Sequence, residues 1–239
     1  MLRTPPQVTV VALPGTGSDA DFAARAFGPA AAARGWALHA VEPEPRAVIA
    51  SYTAALDAAA ARGPVLAAGI SLGAAVALDW AAGHPAAVVG VLAALPAWTG
   101  AETAACPAAL SAAVTAEQLR ADGLDAVLER MRASSPPWLA AALTQSWRSQ
   151  WPHLPDALDE AASYRWPELD RLARTRTPVA VVGATDDPVH PITVAEQWAA
   201  ALPHADLARV RLDELGENPA ILGNTGCAAL DRLTTAPVR

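Results

Sequence analysis

The chain has 239 residues, which is enough for one large domain or for a core with an inserted subdomain. Its net charge of −7 argues against nucleic acid or an anionic membrane as a partner, because phosphate groups require a basic surface. Cys106 and Cys227 have no metal-type spacing, which favours two reduced thiols and no metal or cofactor. The sequence has neither an apolar signal segment nor a run long enough to span a bilayer, so we expect a cytoplasmic protein.

Strands and helices are predicted to alternate in the first hundred residues. Continuous apolar segments predict strands at 8–13, 36–41, 65–68 and 88–95. A helix is predicted in each interval. The first is expected to begin with a capping box of Ser18 and Asp21 and to break near Gly28-Pro29. This alternation is typical of a parallel sheet with right-handed crossovers.

The third strand leads directly into Gly69-Ile70-Ser71-Leu72-Gly73, which has the form G-x-S-x-G and is followed by a helical segment. On so sharp a turn there is no room for a Cβ on either flanking glycine. The helix start also offers free N–H groups to a developing negative charge. On these residues the chain resembles the α/β-hydrolase family, in which Ser71 has the position of the nucleophile.

The resemblance implies a doubly wound, mostly parallel sheet of about six strands with a helical lid inserted after the fourth. On this basis residues 1–99 and 175–239 form the core, and residues 100–174 form the lid. The family usually begins with an antiparallel hairpin. We expect that hairpin to be lacking, since only a few residues precede the first strand.

The glycine-rich segment after the first strand, at residues 14–19, has a functional interpretation through the same resemblance. It implies that the N–H groups of Thr16 and Leu72 form an oxyanion hole, because acyl transfer requires two donors that converge on one oxygen. A phosphate-binding loop is disfavoured, since the Walker lysine is missing.

Residues 100–174 predict helices and no strand, with a capping box at Thr115 and Gln118. Tryptophans are frequent in and next to this segment. Rings of this kind commonly pack a helical layer onto a core, but one or two of them are expected to line an apolar pocket above Ser71. The candidates are Trp98, Trp138, Trp147 and Trp151.

The sheet is predicted to resume at 178–183, followed by a loop that resembles the acid loop of the family. Both Asp186 and Asp187 are candidates for the acid, and we favour Asp187 because the Asp-Pro-Val run matches the family pattern better. A helix at 193–201, a strand at 207–212 and a helix at about 220–233 complete the predicted fold.

The catalytic histidine of the family follows the last strand, but residues 213–239 contain no histidine. Glu217 occupies that position. A carboxylate can act as a base for a serine hydroxyl only if burial raises its pKa. His190, three residues after Asp187, is the best histidine candidate, and His153 in the lid is another.

The leading interpretation is therefore a serine hydrolase acting on a small or medium apolar ester or thioester, with an atypical or missing base. One alternative is a catalytically degenerate protein that binds an apolar ligand or a partner. Another is a lyase or isomerase that uses carboxylates in the same cavity. The sequence leaves the substrate and the oligomeric state open.

Overall fold

Six parallel strands form the central sheet of the protein, whose computed structural model describes residues 7–235. In chain order the strands are β1 (Thr9–Leu13), β2 (Ala37–Ala40), β3 (Val65–Ile70), β4 (Val88–Ala94), β5 (Val179–Ala184) and β6 (Ala205–Val210). Their order across the sheet is β2-β1-β3-β4-β5-β6, and every neighbouring pair is parallel. The chain winds from β1 to one edge and then returns to the other. This arrangement confirms the predicted doubly wound fold and places the switch point between β1 and β3.

Helices cover both faces of the sheet, which explains why β1, β3, β4 and β5 are mostly apolar and almost entirely buried, whereas the edge strands β2 and β6 are only partly buried. The flanking helices are α1 (Ala20–Ala33), α2 (Val48–Ala60), α3 (Leu72–Gly83), α9 (Ile192–Ala201) and α11 (Ile221–Thr235). On one face Tyr52, Leu78 and Trp198 belong to the core shared by α2, α3 and α9. On the other face Phe27 and Leu222 belong to the core shared by α1 and α11. Within residues 7–235, no helix is both long enough and apolar enough to cross a membrane.

Five helices lie between β4 and β5, within the segment predicted as a lid. They are α4 (Pro107–Asp122), α5 (Leu124–Ser134), α6 (Pro137–Gln150), α7 (Leu154–Ala162) and α8 (Leu169–Leu172). Leu119, Leu128, Trp147 and Leu154 belong to a small apolar cluster of their own. The role of this insertion as a lid stays a prediction.

Several local expectations were wrong. Helix α1 is continuous through Pro29, because burial of Phe27 and Ala30 on either side of it offsets the lost backbone hydrogen bond. Its N-cap is Asp19, which accepts the N–H of Phe22, and not Ser18.

Helix α4 also begins earlier than expected, at a Cys106 N-cap, so that Thr115 lies inside the helix. A further helix, α10 (Leu212–Glu217), follows β6 where no helix was predicted. The expected lack of an N-terminal hairpin concerns residues 1–6, which lie outside the described residues.

Candidate active site

Ser71 is held in a strained conformation at the turn between β3 and α3. Its backbone has φ = 53°, a region that few non-glycine residues adopt. A Cβ on Gly69 would overlap the carbonyl of Gly73, and one on Gly73 would lie 2.5 Å from the carbonyl oxygen of Leu13. Only glycine fits at both positions, so the two glycines allow the sharp turn that presents Ser71 at the carboxyl end of the sheet.

His190 contacts the Ser71 hydroxyl directly. Its Nε2 lies 3.0 Å from Ser71 Oγ, and its Nδ1 lies 2.7 Å from Asp187 Oδ2. An ionised carboxylate can only accept hydrogen bonds, so the Nδ1 contact places the proton of a neutral imidazole on Nδ1. Nε2 is then left with a lone pair facing the hydroxyl. Serine, histidine and aspartate form one connected chain of hydrogen bonds.

The loop between β5 and α9 supplies both of the groups behind Ser71, and it is stabilised from within. Oδ1 of Asp187 accepts the N–H groups of Val189, at 2.8 Å, and His190, at 3.1 Å. One aspartate therefore fixes the backbone that carries the histidine and also binds the histidine ring. Burial by itself raises the pKa of Asp187. The hydrogen bonds and charge interaction with His190, together with the two amide donors, outweigh burial and hold the pKa below its ordinary value.

The loop after β1 lies beside Ser71 on its other side. A Cβ on Gly15 would be in ordinary contact with Ser71 Cβ, at 3.6 Å. The Ser18 N–H donates to the Gly15 carbonyl at 3.0 Å and closes a tight turn around Thr16. Leu72 is the first residue of α3, and the first N–H groups of a helix have no partner within the helix. The two predicted oxyanion donors thus belong to the two segments that meet at Ser71.

The alternative carboxylates lie elsewhere. Asp186 is exposed, accepts the N–H of Leu212 at the start of α10 and pairs with Arg211 at 3.3 Å. Glu217 is exposed at the last position of α10. His153 begins α7, where its ring contacts Arg46 and Asp156. None of these side chains has a hydrogen bond to Ser71 among those found in residues 7–235.

The four candidate pocket tryptophans have different environments. Trp138 is half-buried and stacks on Phe22, with ring centroids 6.3 Å apart, whereas Trp147 is buried against Gly17. Trp98 donates to the carbonyl of Glu102, and Trp151 is 39% exposed. Trp138 and Trp147 therefore contact the part of the chain next to the loop after β1. In the described part of the chain, no cluster of three or more acidic, histidine or cysteine side chains is placed to hold a metal.

Three buried polar residues near the loop after β1 were missed in the sequence. The Tyr52 hydroxyl donates to the Pro14 carbonyl, Ser146 donates to the Gly17 carbonyl, and Gln150 donates to the Ser18 carbonyl. The only available signal was the spacing of Ser146 and Gln150, which lie four residues apart beside Trp147 on an apolar helix face. Polar residues at buried helix positions require partners, but the sequence does not tell which.

A strained serine at a strand-to-helix turn, on a doubly wound sheet with a histidine and an aspartate behind it, defines a class of protein. Residues 2–222 match the model of the alpha/beta hydrolase family, so the chain belongs to that family. The sequence matches no curated protein.

Solved structures share the fold. MenH from S. aureus is 16% identical with a TM-score of 0.70, and the match covers 98% of this chain and 97% of that one. A thermophilic esterase from Thermogutta terrifontis is 15% identical with a TM-score of 0.71, covering 97% and 92%. The enol-lactonase from Burkholderia xenovorans LB400 is 14% identical with a TM-score of 0.70, covering 99% and 94%. At these identities the likeness establishes the fold and leaves the reaction to be argued from the site.

Proposed function

We propose that the protein is a serine hydrolase that cleaves small apolar esters or thioesters through an acyl-enzyme formed on Ser71. The observation that carries this proposal is the 3.0 Å contact between Ser71 Oγ and His190 Nε2, with Nδ1 of the same ring bound to Asp187. A nucleophile, a base and a group that orients the base are the three parts that this chemistry requires.

In the proposed reaction, Nε2 of His190 takes the hydroxyl proton as Oγ of Ser71 attacks the acyl carbon. The N–H groups of Thr16 and Leu72 stabilise the negative charge on the acyl oxygen. The protonated ring then gives its proton to the leaving alcohol or thiol, and an ester of Ser71 remains. Water hydrolyses that ester with the same ring as base. Asp187, whose pKa stays below its ordinary value despite burial, is ionised; it keeps the ring in the required tautomer and stabilises its positive form.

An apolar acyl substrate is supported by the groove between α6 and α10, which has a volume of about 490 Å³. Pro136, Pro137, Trp138 and Leu212 line it, with Asp213 and Glu217 at the acidic α10 side. Trp138 also stacks on Phe22 in α1, directly after the loop beside Ser71. Leu212 and Asp213 of its lining come just after β6, so the groove lies at the carboxyl end of that strand, on the side of the sheet where ligands bind in doubly wound folds; its lining does not include Ser71 or His190.

The alternatives of a degenerate binding protein or of a carboxylate-dependent lyase were motivated by the lack of a histidine after the last strand. This ground for both alternatives is weaker because His190 lies within hydrogen-bond distance of Ser71. Glu217, the carboxylate at the position of the family's histidine, is exposed. Neither alternative has an observation of its own in its favour.

The proposal is tested by hydrolysis of p-nitrophenyl esters with acyl chains of increasing length, and of the matching thioesters. We expect turnover by the wild type. We expect a loss of about 10⁴-fold or more in Ser71→Ala, because the nucleophile is removed while the base and the donors stay. Ser149→Ala is the matched control, since Ser149 is exposed and its hydroxyl donates to the Ser146 carbonyl of its own helix. Turnover retained by Ser71→Ala, or no turnover of any ester or thioester by the folded wild type, would contradict the proposal.

A further inference from the structure

Helix α6 of the insertion reaches into the loop after β1 with two buried side chains. The Ser146 hydroxyl donates to the Gly17 carbonyl at 2.6 Å, and the Gln150 amide donates to the Ser18 carbonyl at 2.8 Å. Ser146 is 1% exposed and Gln150 is 4% exposed. More than 120 residues separate α6 from this loop in sequence, so the contacts exist only because the insertion packs against the core.

The Ser146 contact continues through two peptide groups. The Gly17 carbonyl that accepts from Ser146 belongs to the same peptide as the Ser18 N–H. That N–H donates to the Gly15 carbonyl at 3.0 Å. The Gly15 carbonyl in turn belongs to the same peptide as the Thr16 N–H. In a planar trans peptide the C=O and N–H point in opposite directions, so fixing each carbonyl fixes the direction of the N–H behind it.

We propose that Ser146 is a positioning residue that sets the direction of the Thr16 N–H in the oxyanion hole. The inference depends on the proposed hydrolase function. The three donors in series, Ser146 O–H, Ser18 N–H and Thr16 N–H, also polarise one another, which strengthens the last donor as charge develops on the substrate oxygen. Ser146 itself does not touch the substrate.

The ends of the loop are held independently of Ser146. Tyr52 binds the Pro14 carbonyl at 3.0 Å at one end. At the other end, Asp19 caps α1 through the Phe22 N–H and accepts from Gln145. Removal of the Ser146 hydroxyl therefore frees the middle peptides of the loop while both ends stay in place. The effect is expected on the transition state more than on the fold.

The test compares Ser146→Ala and Ser146→Cys with the wild type and with the Ser149→Ala control. The cysteine variant still fills the position, with a somewhat larger atom, but keeps only a weak donor, whereas the alanine variant loses both the atom and the donor. For each protein, kcat and KM are measured with one p-nitrophenyl ester. The inhibition constant of a trifluoromethyl ketone with the same acyl group is measured as well. The adduct of this ketone with a serine carries an oxyanion, so its affinity reports the oxyanion hole. Thermal unfolding reports the fold.

In Ser146→Ala we expect kcat to fall between about 10-fold and 100-fold, less than the loss of an entire oxyanion donor. The inhibition constant of the ketone should rise by a similar factor, KM should stay within about twofold, and Ser146→Cys should be intermediate. A folded Ser146→Ala with unchanged kcat would overturn the inference and leave the proposed function standing. A Ser146→Ala variant with a raised KM and a lowered unfolding temperature, together with full activity in Ser146→Cys, would show that Ser146 acts through packing. That result would also overturn the inference. If the folded wild type hydrolyses no ester, the proposed function fails and the inference fails with it.

Discussion

Two loops meet at Ser71, and they are held in place in opposite ways. The loop after β5 is stabilised within itself, since Asp187 binds two backbone amides and the ring of His190, all within three residues. The loop after β1 is held from outside, by Tyr52 of α2 and by Ser146 and Gln150 of α6. The proposed acid and base are thus a local feature of four residues, whereas the loop after β1, which holds a proposed oxyanion donor, depends on the assembly of distant elements.

Among substitutions in these two loops that keep Ser71 and His190 in place, Asp187→Asn is expected to give the largest loss of kcat. Asparagine can still accept the two backbone amides, so the turn survives. Its side-chain amide no longer stabilises the Nδ1 proton and the positive form of His190. We expect kcat to fall by about 10³- to 10⁴-fold. Asp186→Asn is the neighbouring control and should stay within about twofold, because Asp186 is exposed and its contacts are with Leu212 and Arg211 at the start of α10. Equal losses in both variants would contradict the assignment of Asp187.

A smaller loss of kcat is expected from a substitution in the loop after β1. Gly17 has φ = +67°, and a Cβ there would lie 2.9 Å from Nε1 of Trp147 in α6. Gly17→Ala should lower the free energy of unfolding by about 1–3 kcal/mol and should also lower kcat, because Trp147 and the loop must separate.

Gly35→Ala is the matched control for this change. Gly35 has φ = +65°, but among the described residues no atom beyond its chain neighbours lies within 4 Å of its Cβ position. Urea unfolding should show a stability loss of about 1–2 kcal/mol with kcat unchanged, since only the backbone strain is added. A normal kcat in Gly17→Ala would show that contact with α6 does not position the loop.

The smallest expected effect is a difference between the two loops in how their contributions to stability depend on pH. The folded pKa of Asp187 is lowered, so its charge stabilises the fold above the ordinary pKa of 3.8, and this contribution is lost as the pH falls through the folded value. The stability of the wild type relative to Asp187→Asn should therefore decrease between about pH 5 and the acid limit of folding. The difference between the wild type and Ser146→Ala should stay constant over the same range, because it involves no titrating group. A constant difference for Asp187→Asn would contradict the lowered pKa.

The same contrast explains what the sequence could predict. The turn at Ser71 was predictable because its requirement for glycine at two neighbouring positions is local. The parallel alternation of strands and helices followed from apolar runs and crossover rules, and the doubly wound arrangement followed from the family resemblance. Whether His190 reaches Ser71 depends on the registers of β3, β4 and β5, which no local pattern contains. The contacts of Ser146 join segments 129 residues apart, and the start of α10 is capped by Asp186 from a loop 26 residues away, so neither could be read from a local pattern.

The central claim of the proposed mechanism is the position of the base. The family pattern places a histidine after the last strand, where this chain has the exposed Glu217. The structure instead brings His190 to Ser71 from the loop after β5. A functional base at this position would mean that two of the three catalytic groups come from one short loop.

The most direct measurement is the rate at which a fluorophosphonate labels Ser71, followed by intact mass in the wild type, His190→Ala and His153→Ala. The reaction requires an activated serine hydroxyl. We predict rapid single labelling of the wild type and of His153→Ala, no labelling at this site in a Ser71→Ala control, and a rate reduced about 10³-fold or more in His190→Ala. Labelling of folded His190→Ala at the wild-type rate would contradict the account, because the base would then have to lie elsewhere.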